Sequence, residues 1–186
     1  MLTVHTIDDI RQIYDLIRGK NVAIVGNAPR ILEREDGTFI DSHDVVIRFN
    51  RGYPRTKPVS LGQKTTILSI FGPTTDINEY QDSRIVVSLG TLWDHEESEI
   101  DYFLPYGFLH NPLIKACPSN ASSGCIWLCE CVNAKAGNID CFGRDRTTTK
   151  SFHHGGADES FCHSFGMEED YMITVAKQNG IPLNII

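Results

Sequence analysis

Two short apolar runs, each stopped by a polar turn, constrain the fold of this chain most. Val22-Ala23-Ile24-Val25 leads straight into Gly26-Asn27, after which Pro29–Glu33 reads as a short helix. Val45-Val46-Ile47 leads into Arg48-Phe49-Asn50-Arg51. Runs without polar alternation suit strands buried on both faces, which belong to parallel sheets covered by helices. A strand that ends in glycine and turns into a helix is how an open α/β sheet builds a ligand crevice. The exposed amides of such a helix start can hold an anion. Both runs finish beside an asparagine, Asn27 and Asn50, whose amide can donate and accept hydrogen bonds. The pattern alone assigns no ligand, because strand–turn–helix signals are common.

The rest of the chain continues the alternation. Thr6–Ile17 carries Ile7, Ile10, Ile13, Tyr14 and Ile17 at helical spacing, with Thr6 as N-cap and Gly19 beyond its end. Tyr53–Pro58 is a Pro-rich basic loop, Thr65–Phe71 a strand broken by Gly72-Pro73, and Arg84–Leu89 a strand closed by Gly90. Asp94–Phe103 reads as an acidic helix, and Pro118–Gly124 as a loop of small residues. Cys125–Ala136 is expected to be a helix, Asn138–Phe142 a strand, and Thr147–Glu159 a polar, Gly-rich mobile loop. Met167–Gln178 is helical, Gly180 caps it, and Ile181–Ile186 is a last strand. Such alternation implies a mostly parallel sheet with helices on both faces.

With 186 residues the chain can form one α/β domain with a real core, and is too short for two large ones. We therefore treat residues 1–186 as a single domain. A net charge of −7 disfavours broad electrostatic binding to nucleic acid or to anionic membrane, though it leaves room for a local basic pocket. No apolar stretch approaches the roughly 18 residues of a membrane span. The segment MLTVHTIDDIRQ has neither the basic nor the apolar part of a signal peptide. The six cysteines, Cys117, Cys125, Cys129, Cys131, Cys141 and Cys162, form no C-x-x-C pair, which argues against structural zinc. They read as buried small hydrophobes in a reducing compartment, hence a cytoplasmic protein.

Three further clusters carry chemistry. Ser122-Ser123-Gly124 stands just before a helix, where small hydroxyl residues and glycine can either cap the helix or contact a phosphate or carboxylate. His153-His154 lies in the polar loop and His163 precedes the next helix. A zinc site from His153, His154, Cys162 and His163 lacks the usual paired spacing. There is no Asp-x-Asp, which disfavours a metal-held nucleotide diphosphate.

In register, these residues resemble the sialyltransferases of glycosyltransferase family 29. The family's L motif is matched by Val25-Gly26-Asn27, Ile40-Asp41-Ser42-His43-Asp44 and Arg48-Phe49-Asn50-Arg51. The Gly62-Gln63-Lys64-Thr65-Thr66 run resembles one downstream of that motif. Its S motif is matched by Ser122, Ser123, Gly124, Leu128, Cys129, Val132, Phe142 and Gly143, with Cys141 where a glycine is usual. His163 with Glu168 resembles motif VS, and His153-His154 resembles motif III without its aromatics, His154 being the preferred match. The resemblance implies a Rossmann-like α/β domain, the GT-A-like variant of that family. It also implies that the disulfide joining the L and S motifs is missing, because Val22 stands where the family has cysteine, although Cys129 matches its partner.

The implied activity is transfer of a 2-keto sugar acid, sialic acid or Kdo, from its CMP donor to a glycan hydroxyl with inversion. His163 would be the general base, with Glu168 capping its helix or orienting it, and His154 would assist the departing phosphate. Asn27 and Asn50 would bind phosphate and nucleotide. Ser122, Ser123 and Gly124 would hold the carboxylate or phosphate, and Gly143 would admit cytidine. No cofactor and no metal are expected, and the setting implied is a bacterial or viral enzyme of surface-glycan synthesis. Two rivals stand beside this: a family member that binds a CMP-sugar without turnover, and an unrelated Rossmann-type nucleotide enzyme. The second would want Gly-x-Gly-x-x-Gly, which is absent.

Overall fold

The computed structural model describes residues 7–50, 58–70, 85–90, 102–105, 111–118, 121–146 and 164–186. Seven strands form one sheet: β1 (Asn21–Val25), β2 (Val45–Phe49), β3 (Ile67–Ile70), β4 (Ile85–Gly90), β5 (Tyr102–Pro105), β6 (Asn138–Phe142) and β7 (Leu183–Ile185). Their order is β5-β4-β3-β2-β1-β6-β7, and every pairing is parallel. The chain lays strands outward from β1 to β5, then returns to add β6 on the other side of β1. The switch point therefore lies between β1 and β6, and the crevice it creates opens at the carboxyl ends of those strands.

Side chains alternate between two helical layers. Val22 and Ile24 of β1, Val45 and Ile47 of β2, and Ile139 of β6 face one layer. It is made by α1 (Ile7–Ile17), α4 (Pro112–Lys115), α5 (Ser123–Asn133) and α6 (Phe165–Gln178). Ile13, Ile17, Trp127, Leu128 and Met172 from that layer are each at most 1% exposed. Ala23 and Val25 face the other way, onto Ile31 of the 3-10 helix Pro29–Glu33, Ile40 of α2 (Gly37–Asp41) and Leu61 of α3 (Pro58–Leu61). β1 and β2 are thus covered on both sides, as their unbroken apolar sequences require.

Polar residues of the first half pin this second layer. Asp41 accepts hydrogen bonds from the backbone amides of Gln63 and Lys64. Lys64 donates to the carbonyl of His43. Arg48, 1% exposed, donates through Nε to the Lys64 carbonyl (3.0 Å) and through Nη2 to the Leu61 carbonyl (2.6 Å). Burial lowers its pKa to about 10, with Asp41 nearby pulling the other way. Buried His43 donates from Nε2 to Asp140 of β6 (2.8 Å), which also accepts from Asn138 and from Asn184 of β7.

Some boundaries differ from the sequence reading. Tyr102 and Phe103 are not the end of a helix from Asp94; they open β5, paired with β4. Two aromatics and a leucine fit a pleated edge, and Pro105 is tolerated at the end of an edge strand. Pro58 begins α3 instead of ending a loop, Ala134–Ala136 lie beyond α5, and the last strand is confined to Leu183–Ile185. Thr6, residues 71–84, 94–101 and the loop 147–159 lie outside the described residues. Among the described residues, no helix is long and apolar enough to cross a membrane.

Candidate functional site

The crevice is built from the ends of four neighbouring strands. At its centre β1 and β6 leave the sheet in contact: Gly26 donates to the Phe142 carbonyl (2.8 Å), and Ala28 to the Gly143 carbonyl (3.0 Å). A Cβ on Gly26 would lie 2.5 Å from the Gly143 oxygen, and Gly143 itself has φ +61°. Neither position tolerates a side chain without moving backbone. The two glycines let the ends of β1 and β6 lie close together at the floor of the crevice.

One strand further, Asn27 donates from Nδ2 to the Phe49 carbonyl at the end of β2 (3.3 Å). Its amide oxygen is thereby oriented at the strand ends. Asn50 follows Phe49 and adopts φ 49°, the left-handed region that asparagine tolerates better than most residues. Its backbone N–H is held by the Ser69 carbonyl at the end of β3 (2.9 Å). The structure thus brings Asn27, Asn50 and Gly143 to the carboxyl edge of the sheet.

The α5 end of the crevice departs from the simplest expectation. Ser122 is the N-cap of α5, and its Oγ accepts from Cys125 N–H (3.3 Å). The same hydroxyl donates to Glu168 Oε2 (2.5 Å), while Ser122 N–H donates to Oε1 (3.2 Å). Ser122 is buried and its hydroxyl is already engaged twice, so it acts as a cap and a brace. Ser123 and Gly124, in the first turn of α5, are partly exposed.

Glu168 is 0% exposed in the first turn of α6. Its carboxylate reaches across to the Ser122 loop, joining the start of α6 to the start of α5. Sequence reasoning offered helix capping or His163 orientation; the hydrogen bonds to Ser122 were not legible from spacing. Arg144, the residue after Gly143, was also missed. Its Nη2 lies 3.8 Å from Glu168 Oε2, and its Nη1 sits 2.8 Å from where a Cβ on Gly124 would be. A cation directly after a crevice glycine was the available signal. Arg146 then ties the same loop to α6 through Glu169 (3.0 Å) and Asp170 (2.7 Å).

His154 and His163, with His153 and Cys162, lie outside the described residues. His163 immediately precedes Ser164, the N-cap position of α6, three residues before exposed Met167. Among the described residues no group of three His, Cys, Asp or Glu can hold a metal ion. Cys129 is a buried free thiol in α5, and Val22 is buried in β1.

Residues 15–92 match the model of glycosyltransferase family 29 (sialyltransferase). Over that segment the chain is similar to glycosyltransferase family 29. The matched segment contains Asn27 and Asn50, together with Asp41, His43 and Arg48. Beyond it the likeness is one of fold. A mammalian sialyltransferase in complex with Gal-beta-1-3GalNAc-ortho-nitrophenol superposes with TM-score 0.61 at 16% identity, covering 96% of this chain and 78% of that one. A second structure of a mammalian sialyltransferase gives 0.60 at 17%, with the same coverages of 96% and 78%. A mutant of the alpha-2,3/8-sialyltransferase CstII gives 0.54 at 18%, covering 89% of this chain and 81% of that one. No curated protein matches. The chain thus has a sialyltransferase-type α/β fold, and its first half resembles family 29.

Proposed function

We propose that the chain moves sialic acid from CMP-sialic acid to a glycan hydroxyl, with inversion at the anomeric carbon and without a metal. The observation that carries the reading is the crevice at the β1/β6 switch point, with Asn27, Asn50 and Gly143 at the strand ends and Gly124 at the start of α5. Asn27 and Asn50 would hold the phosphate and nucleotide, and the Gly26–Gly143 floor would admit cytidine. Ser123 and Gly124 would face the sugar acid at the positive end of α5. Ser122 would shape that end through Glu168.

The acceptor hydroxyl would lose its proton to His163 as its oxygen bonds to C2 of the sugar. The C2–O bond to phosphate breaks, and CMP leaves with the electron pair, assisted by His154. A nucleoside monophosphate is a competent leaving group without a cation, which supports the metal-free reading. Val22 in place of a cysteine, opposite a free Cys129, supports a reducing compartment such as the cytoplasm.

Calorimetric titration of CMP, CDP, UMP and NAD, with and without EDTA, tests this. The expected result is selective CMP binding unchanged by EDTA, followed by turnover of CMP-sialic acid in preference to CMP-Kdo. Preference for NAD, or no CMP binding, would overturn it. His163→Ala is expected to abolish transfer while leaving CMP binding intact.

A further inference from the structure

With the Ser122 hydroxyl engaged, the α5 end of the crevice offers, among the described residues, Ser123, Gly124 and the cation Arg144. That cation is unusually placed. Its side chain is only 9% exposed, yet its acidic neighbour, Glu168, is 3.8 Å away. This is an ionic contact too long for a hydrogen bond. The Glu168 oxygens already accept from Ser122 N–H and Oγ–H. A guanidinium has five N–H donors. Among the described residues, no hydrogen bond from Arg144 uses them.

The guanidinium also lies against the first turn of α5, at Gly124. A helix start carries partial positive charge, so a second positive group there is unfavourable without an anion between them. Glu168 supplies one negative charge from behind. The crevice side is left to a ligand. Asn27 and Asn50 lie on the β1–β2 side of Gly143, whereas Arg144 lies on the α5 side. The two ends of the crevice therefore suit two different groups of one ligand.

We propose that Arg144 is the donor-specificity residue: it receives the sugar's carboxylate through two parallel N–H···O bonds, beside Ser123 and Gly124. This rests on the CMP-sugar reading above and adds to it the group that selects an acidic sugar. A planar fork matches a planar carboxylate in two-point contact. A neutral sugar would leave the guanidinium's N–H donors without a hydrogen-bond acceptor and would be rejected for that reason.

The test measures binding of CMP, which has no carboxylate, and of a hydrolysis-resistant 3-fluoro analogue of CMP-sialic acid, which has one. Arg144→Gln is expected to bind CMP as the unaltered protein does and the analogue about ten- to a hundredfold more weakly. Arg144→Lys keeps the charge beside Glu168, and so the fold, but cannot make two parallel bonds. It should lose most of the same factor, with an unchanged thermal midpoint. Equal weakening of CMP and analogue would assign Arg144 to the phosphate and overturn the proposal. So would unchanged binding of both, or full analogue binding by Arg144→Lys. If the unaltered protein binds neither compound, the donor reading itself fails and this inference falls with it.

Discussion

Asp140 shows how much one buried side chain can hold. It sits in the middle of β6, 4% exposed, and accepts from His43, Asn138 and Asn184. Burial alone would raise its pKa, but those hydrogen bonds, with Asn184 foremost, bring it below the usual carboxylate range. An unfolded aspartate titrates near about 3.9. Between the two values the unfolded chain binds more protons, so stability rises with pH there. The contribution is complete above about pH 5 and disappears as pH falls through the folded value. Asp140→Asn is expected to lower stability by about 2 kcal/mol at neutral pH, because three donors lose a charged acceptor. Urea unfolding from pH 7 to pH 2 should show that difference shrinking only in the acid limb. A constant difference over the whole range would mean that the packing at this position matters and its charge does not.

At the scale of elements, α5 decides between capping and binding at adjacent residues. Ser122 caps the helix and braces Glu168; Ser123 occupies the first turn and is partly exposed. Ser122→Ala should cost about 1 to 2 kcal/mol for the lost cap, and more because buried Glu168 loses a donor. Ser123→Ala should leave the thermal midpoint within about 0.5 kcal/mol of stability, as exposed substitutions do, yet weaken donor binding. Midpoints and CMP-sugar titrations on both variants separate the roles; equal effects on both quantities would contradict this division. The same helix shows what the sequence could disclose. Its start was legible because a hydroxyl cap precedes an apolar stretch, β1 and β2 because each carries a short apolar run ending at a turn, and β6 because Ile139, Cys141 and Phe142 precede a glycine. The short helices α2, α3 and α4 were not, since four or five residues carry too little periodicity. β5 was mistaken for helix because an acidic run leads into it, and a strand of four residues is decided by its partner β4. In the candidate site, Asn27 and Asn50 could be named from strand endings and Gly143 from the family resemblance. The Ser122–Glu168 and Arg144–Glu168 contacts could not, because they join residues 46 and 24 positions apart whose meeting depends on how α6 returns to the sheet.

The whole molecule turns on the reversal of strand order at β1. Strands β2 to β5 extend one wing and β6 with β7 the other, so a ligand at the switch point touches both. Beyond the β1–β6 ladder the wings meet in the shared core, at the Gly26–Gly143 contact at the open end, and through His43–Asp140 across the layer beneath. A ligand that bridges Asn27 and Asn50 on one side and Gly143 with α5 on the other adds contacts that the folded chain has and the locally opened chain lacks. By linkage it should suppress those openings on both wings together. Hydrogen exchange with saturating CMP is therefore expected to slow the amides of Gly26, Ala28, Asn50 and the first turn of α5, while β7 at the far edge exchanges as before. CMP-sialic acid analogue should extend the slowing further along the α5 start than CMP does, since only it carries the group assigned to Arg144. Protection confined to one wing would place the nucleotide outside the switch point. The carboxyl-end crevice would then be a feature of the sheet's winding without being its binding site.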